Sequence, residues 1–175
     1  MRKLALLVSA LALTAAMASA EEIKVGVSVG EHAEIMEHVA EVAKTKGLNI
    51  DIIEFTDYVV PNQALNDGDL NANSFQHQPY LDNQIKDRGF ELVSIAKTIT
   101  TPMGVYSEKL KSLDELPEDA KVAIPNDPTN GGRALLLLAD KGVITLADGV
   151  GLSPTPLDVT GNAKNLAFLE LDAAQ

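Results

Sequence analysis

Apolar residues recur with two different periods along the chain, and their order predicts strands and helices in turn. In EIKVGVSVG they occupy every second position from Ile23 to Val29, which predicts a strand. The apolar residues from Ile35 to Ala43 then mark one face of a helix that ends at Gly47, and NIDIIEF predicts a second strand. Strand, helix and strand joined by short links predict a parallel sheet covered by helices.

Two further helices are predicted before the pattern changes. Pro61 is suited to the first turn of a helix that ends near Gly68, and a short strand follows over residues 70–75. Pro79 is suited to open a third helix, with Gly89 as its stop. These elements extend the predicted α/β unit.

The second half of the chain begins with a long β-rich stretch. Residues 91–110, broken by a proline, predict two extended pieces that carry the chain out of the first lobe. SLDEL at Ser112–Leu116 is a capping-box pattern that predicts a brief helix. A strand over Lys121–Ile124, an apolar helix closed by Gly142 and a last strand in NLAFLEL complete the prediction.

The first twenty residues have the layout of a secretory signal peptide. Arg2 and Lys3 precede an apolar run over residues 4–17, and Ala18-Ser19-Ala20 stands directly before Glu21. The chain has no cysteine, which excludes disulfides, thiolate metal sites and a lipid attached to cysteine. We therefore expect residues 1–20 to be a cleaved signal, followed by lobes at 21–108 and 109–175, in a protein that diffuses freely in the periplasm.

The charge balance narrows the class of partner. The chain has 14 Lys plus Arg against 25 Asp plus Glu, and loss of Arg2 and Lys3 with the signal would increase the acidic excess. Such an excess repels phosphate backbones and anionic lipid surfaces. We expect neither nucleic acid binding nor membrane insertion after signal cleavage.

NDPTNGGR, between a predicted strand and a predicted helix, is a candidate anion clamp. Gly131 and Gly132 leave the backbone open to close approach, the helix start offers N–H donors, and Arg133 supplies a planar fork suited to a carboxylate. The alternative is a well-capped helix with Asn or Thr as its cap and an ordinary surface arginine. The glycine spacing fits neither a phosphate loop nor a dinucleotide-binding motif.

NANSFQHQPYLD places aromatic rings at the end of a predicted strand. Phe75, His77 and Tyr80 would lie at the carboxyl edge of a parallel sheet, where ligands bind. The alternative is that Phe75 and Tyr80 pack in the core while His77 caps a backbone group. No second histidine is near His77 with metal-ligand spacing, no nucleophile motif is present, and no cofactor or metal is expected.

Three blocks carry a resemblance to a known family. FTDYVVPNQALNDGDLNANSFQHQPYLD, TPMGVYSEKLKSLDELP and KVAIPNDPTNGGRALLLL resemble, in order and spacing, the methionine-binding lipoproteins of NlpA type. These proteins are the substrate-binding components of bacterial methionine ABC importers. The resemblance implies an α/β fold like that of type II periplasmic binding proteins, with two lobes and methionine in the cleft between them.

The resemblance also assigns roles. Tyr58, Phe75, His77 and Tyr80 match first-lobe residues that line the pocket. Asn130 and Arg133 match second-lobe residues, with Arg133 on the ligand carboxylate. It further implies that an ABC permease in the inner membrane recognises the closed form and that no bond of the ligand is broken, so the protein is not an enzyme.

Two departures from the family shape the expectation. Many members have a lipobox cysteine, which this sequence lacks, and members continue well beyond residue 175. We therefore expect a truncated form with an incomplete second lobe, an incomplete site and an uncovered apolar surface around NLAFLEL.

Three other functions remain open at the level of sequence. A sister receptor would bind another small amino acid or a short peptide, since ring-lined pockets accept several apolar side chains. An enzyme acting on amino acids or amides would use His77 as base and Arg133 as anchor, although His77 has no assigned nucleophile or orienting partner. The third is an exported interaction protein that has lost transport.

Overall fold

A computed structural model describes residues 21–173, and the predicted signal peptide at 1–20 lies outside them. The N-terminal sheet has the order β2-β1-β3, and both of its pairings are parallel. Helices follow each strand, as the alternating pattern predicts. The elements are β1 (Glu21–Ser28), α1 (Glu31–Lys44), β2 (Leu48–Phe55), α2 (Val60–Asn66), β3 (Ala72–Ser74) and α3 (Gln78–Arg88).

The C-terminal half contains a second parallel pair. β4 and β7 run side by side with Lys121 opposite Ala167, and an antiparallel pair of very short strands, β5 and β6, lies between them in sequence. The confirmed feature is the parallel α/β organisation of both halves. The elements are β4 (Lys121–Pro125), α4 (Pro128–Asp140), β5 (Thr145–Leu146), β6 (Val159–Gly161) and β7 (Ala167–Leu171).

Each half has its own apolar core. In the N-terminal half, Val25 and Val27 of β1 pack with Ala33 of α1. In the C-terminal half, Leu135 and Leu138 of α4 are the buried centre, and they pack with residues from β4 and the loops that precede β5 and β7. The two cores anchor the strand ends that position the site.

Gly89 ends its helix as predicted, whereas Gly47 lies in the turn after α1, two residues beyond the C-cap Thr45. Gly47 and Gly89 both have positive φ, 85° and 70°, which glycine adopts at little cost because it has no Cβ. Gly89 is the C-cap of α3, and its N–H donates to the Ile85 carbonyl. The predicted face of α1 is only partly covered, because Met36 packs on the core whereas Val39 is 41% exposed.

The β-rich stretch over residues 91–110 contains no strand, contrary to its pattern. Its apolar side chains find no sheet to pack on, and Val93 and Ile95 are 79% and 84% exposed. The SLDEL motif forms a short 3-10 helix at Leu113–Glu115, but Ser112 makes no capping hydrogen bond. The Glu115 carboxylate instead accepts from the Lys111 N–H.

Two surface properties bear on the expectations from sequence. β7 leaves Leu169 and Leu171 exposed at 42% and 50%, in the region where an uncovered apolar surface was predicted. Among residues 21–173, no helix combines the length and the hydropathy needed to cross a membrane.

Candidate functional site

The N-terminus of α3 is built on His77. Its backbone is extended, and Nδ1 of the ring accepts a hydrogen bond of 3.1 Å from the Tyr80 N–H, so His77 is the N-cap of the helix. A ring nitrogen that accepts this bond has no proton on it. The neutral ring therefore has its hydrogen on Nε2, which makes Nε2 a donor.

Three rings surround Tyr80, which follows His77 in the first turn of α3. Tyr58, Phe75 and His77 each meet Tyr80 in an edge-to-face arrangement, with centroid separations of 5.5, 6.2 and 6.2 Å. Tyr80 itself is only 3% exposed, while the other three rings are half-buried. Tyr80 therefore packs in the core and His77 caps a backbone group, as the alternative reading of this segment predicts, while a pocket wall formed by the rings stays a prediction.

The N-terminus of α4 is occupied by Asp127, which corrects the prediction of an open helix start. One carboxylate oxygen of Asp127 accepts from the N–H groups of Thr129 and Asn130 and from the Thr129 hydroxyl. The Gly131 N–H donates to the Asp127 carbonyl. Since Pro128 has no N–H, the donors of the first turn are already satisfied and do not hold a ligand anion.

The role of Gly131 and Gly132 also differs from the prediction. A Cβ at Gly131 would lie 2.7 Å from the Pro125 carbonyl oxygen, and one at Gly132 would lie 2.7 Å from the Leu152 carbonyl oxygen. The glycines thus permit close approach of the protein's own backbone to α4. They position Asn130 and Arg133 by packing and are not an open surface for a ligand.

Two hydrogen bonds connect the strand-end segments of the two halves. The Tyr58 hydroxyl donates to Oδ2 of Asp127 over 2.8 Å. Nε2 of His77 donates to Oδ1 of Asn130 over 2.8 Å. The segment after β3 and the segment after β4, far apart in sequence, therefore meet at a single polar junction.

Burial and hydrogen bonding shift the acidity of this junction. Burial, together with the hydrogen bond and charge of Asp127, raises the pKa of the Tyr58 hydroxyl far above its usual range. Burial also raises the pKa of Tyr80 to about 12. Burial alone would raise the pKa of Asp127, but hydrogen bonds from Asn130, Thr129 and Tyr58 outweigh it and hold that pKa below 3.8.

Arg133 lies one helical turn beyond Asn130 and faces the same junction. Its Nη1 donates to Oδ1 of Asn130 and its Nη2 to the Thr101 carbonyl, both over 3.1 Å. Within the described residues, neither of the two ion pairs involves Arg133. A guanidinium has five N–H donors, so this half-buried cation retains donors for an anion.

The structure brings all six predicted site residues to this junction, directly or through one neighbour. Sequence reasoning missed Asp127, the residue that organises the start of α4 and bonds Tyr58. The missed signal is Asp-Pro at the start of an apolar helix, because Asp is favoured at the N-cap and Pro in the first turn. Thr101 was also missed, and the sequence has no local signal for a backbone carbonyl used in this way.

A cavity of about 490 Å³ lies beside the junction. Tyr58, Tyr80 and Asp127 line it together with Gln84 and Arg88 of α3. Phe75, His77, Asn130 and Arg133 are not among its lining residues.

In the part of the chain that the structure covers, no group of three or more His, Cys, Asp or Glu side chains could hold a metal ion.

Comparison with known proteins agrees with the geometry. Two parallel α/β halves joined at the carboxyl ends of their strands give the fold class of the type II-like periplasmic binding proteins. The NlpA lipoprotein family model matches residues 23–175, and the chain belongs to that family.

Curated relatives carry a methionine-binding name. The chain is 57% identical over 154 residues to the D-methionine-binding lipoprotein MetQ of Salmonella typhimurium, covering 87% of this chain and 57% of that protein. It is 56% identical over 154 residues to the protein of that name from Escherichia coli, with the same coverage. The chain thus spans just over half the length of these relatives.

Solved structures give the same picture. The methionine-binding protein MetQ superposes with a TM-score of 0.85 at 56% identity, over 87% of this chain and 62% of that one. A nutrient-binding protein from Burkholderia cenocepacia bound to methionine has a TM-score of 0.85 at 55% identity, over 87% of this chain and 65% of that one.

Proposed function

We propose that this chain is the substrate-binding part of a methionine importer, which captures the free amino acid for an ABC permease in the inner membrane. The names of its relatives support methionine as the ligand. The observation that carries the proposal is Arg133, a half-buried cation that pairs with no carboxylate of residues 21–173 in an acidic chain.

In this proposal Arg133 holds the ligand carboxylate. Asn130 and the Thr101 carbonyl keep the guanidinium in place through two hydrogen bonds, which reduces the entropy lost when the ligand binds. A planar fork held in this way suits bidentate contact with a carboxylate. His77 and Asn130 contribute the polar edge of the same site.

The rings provide the apolar wall. Phe75 and Tyr58 stand half-buried around the buried Tyr80, and a polarisable thioether makes favourable contacts with aromatic rings. Binding would need no covalent step, and His77 is engaged as a helix cap and in a bond to Asn130, which fits recognition better than catalysis. We therefore propose a binding protein that is not an enzyme.

Location and lobe boundaries belong to the same proposal. We propose that residues 1–20 are removed during export, that residues 21–108 and 109–175 contribute to separate lobes, and that the released protein is periplasmic without a lipid anchor. Relatives are named lipoproteins, whereas this sequence has no cysteine. N-terminal sequencing of the exported protein should begin at Glu21, and a retained leader would contradict this part.

Titration calorimetry tests the ligand. The chain is titrated with D-methionine, L-methionine, norleucine and a methionine-containing dipeptide. We expect the tightest-binding ligand of the four to be one of the two methionine enantiomers. Arg133→Gln should lower the affinity at least about ten-fold, since it removes one partner of a desolvated charge pair. Lys44→Gln, which changes an exposed cation on α1 that does not line the cavity, is the matched control.

Two results would overturn the proposal. One is the absence of any binding of methionine by the unaltered chain. The other is an equal affinity in the Arg133→Gln and Lys44→Gln variants, because Arg133 would then not contact the ligand.

A further inference from the structure

A reciprocal pair of side-chain amides lies behind the ring cluster. Nδ2 of Asn62 donates to Oε1 of Gln76 over 2.8 Å, and Nε2 of Gln76 donates to Oδ1 of Asn62 over 2.7 Å. Asn62 is fully buried in the first turn of α2. Two antiparallel bonds between two amides fix both planes, because rotation of either amide breaks both bonds.

A third amide completes the network. Nδ2 of Asn73, in β3, donates to Oδ1 of Asn62 over 3.0 Å and to the Pro61 carbonyl over 3.2 Å. The network therefore joins the start of α2 to the end of β3. Every amide in it has a partner, so burial costs it little.

Gln76 stands between two residues of the candidate site. Its neighbours in the chain, Phe75 and His77, both place their rings against Tyr80, while the Gln76 side chain bonds α2. The amide pair thus holds the backbone from which the two rings project. His77 in turn bonds Asn130 across the junction.

We propose that Asn62 and Gln76 are positioning residues for ligand binding, which fix the backbone between Phe75 and His77 so that both rings meet the ligand. This inference rests on the proposed methionine-binding function. It extends that function, because neither residue lines the cavity and, among the described residues, neither side chain forms a hydrogen bond to a predicted ligand residue.

The alternative is that the pair serves stability alone. A well-packed apolar pair of similar shape stabilises a buried position about as well as a hydrogen-bonded pair. It does not fix an orientation, since apolar contacts are non-directional. The two roles can therefore be separated by replacing both amides together.

The test compares three variants with the unaltered chain. Gln76→Leu removes the reciprocal bonds but leaves Asn62 bonded to Asn73, and Asn62→Leu combined with Gln76→Leu removes both partners so that neither amide of the pair is left without one. Gln63→Leu is the matched control, since Gln63 is an exposed residue beside Asn62 whose amide donates to the Asp67 carboxylate. Unfolding midpoints in urea, methionine affinity and imidazole ¹⁵N NMR are measured for each.

We expect the double variant to unfold near the midpoint of the control while it binds methionine about ten-fold more weakly, equivalent to about 1.4 kcal/mol. Equal affinity in the double variant and the Gln63→Leu control would overturn the inference. If the double variant does not fold, Gln76→Leu alone decides by the same comparison.

The NMR measurement separates this inference from the proposed function. The chain has three histidines, and His77→Asn identifies the His77 signals by difference. We expect a single Nε2–H tautomer in the unaltered chain and a mixture of tautomers in Gln76→Leu. If the unaltered chain binds no methionine, the proposed function fails, and an unchanged His77 tautomer in Gln76→Leu would then overturn the positioning role as well.

Discussion

The carboxylate of Asp127 should be the largest single polar contributor to the stability of the junction. It accepts five hydrogen bonds, three through Oδ1 from Thr129 and Asn130, and two through Oδ2 from Tyr58 and the Asn130 amide. The Oδ1 bonds form the helix cap, and the Oδ2 bonds join α4 to the Tyr58 loop. Two substitutions can separate these contributions.

The magnitudes follow from which bonds each substitution removes. Loss of an N-cap costs about 0.5–2 kcal/mol, and a polar group left without a partner costs about 1–3 kcal/mol. Asp127→Ala removes the cap and takes the acceptor away from Nδ2 of Asn130 and from the Tyr58 hydroxyl, so the free energy of unfolding should fall by about 3 kcal/mol. Asp127→Asn retains an oxygen for the cap, and it should lose only about half as much.

Urea denaturation followed by circular dichroism measures these differences. Asp82→Ala is the matched control, because Asp82 is exposed and, among the described residues, its carboxylate accepts one side-chain hydrogen bond, from Gln78. The reasoning would be refuted if Asp127→Ala cost no more than Asp82→Ala. It would also be refuted if Asp127→Asn and Asp127→Ala were equally unstable, since the cap and the Tyr58 contact would then not be separable.

The same carboxylate predicts a pH dependence with a definite sign. The pKa of Asp127 is lowered in the folded state from an unfolded value of 3.8, so its contribution is complete above that pH. The contribution is lost as the pH falls through the lower, folded pKa. The difference in unfolding free energy between the unaltered chain and Asp127→Asn should therefore be constant above about pH 4 and shrink below it.

Two further predictions concern the packing of α4. Gly132→Ala should lower the unfolding free energy by about 1–3 kcal/mol, because the added Cβ would overlap the backbone at Leu152 and Ser153. An unchanged midpoint in urea denaturation would contradict this close approach. Leu135→Ala should lower the unfolding free energy by about 2–5 kcal/mol, because Leu135 is fully buried. The control Leu157→Ala should change it little, because the Leu157 side chain is 95% exposed. Equal losses would show that Leu135 is not central to the core.

The regular elements of the fold could be predicted from the sequence because local pattern and tertiary packing agree in them. β1 alternates, α4 is apolar on the face that packs, and Gly89 takes the left-handed conformation its position requires. Residues 91–110 show the limit of this reasoning. Their β-branched residues favour extended structure, but a strand also needs a partner strand, and no local pattern specifies one.

The candidate site also has a part that the sequence predicted and a part that it did not. Residue types indicated which segments carry chemistry, and the rings around Tyr80 and the guanidinium of Arg133 do lie at one junction. The sequence did not indicate that Asp127 satisfies the α4 donors, because Asp, Asn and Thr are all acceptable caps and two such residues stand on each side of Pro128. Only the backbone geometry selects one.

Because Asp127 accepts the hydrogen bonds of the first N–H groups of α4, the junction differs from a simple anion site. A helix N-terminus with free N–H groups attracts any small anion, including phosphate and sulfate. With those donors satisfied by Asp127, the charge that the proposed site offers to a ligand is that of Arg133, and Asn130 links the two side chains by donating to the Asp127 carboxylate and accepting from Arg133. A doubly charged anion would be repelled by that carboxylate, whereas a zwitterion can place its carboxylate on Arg133 and its ammonium toward the acidic side. The arrangement therefore favours an amino acid over an inorganic anion, and sulfate at concentrations that saturate simple anion sites should not displace methionine in the calorimeter.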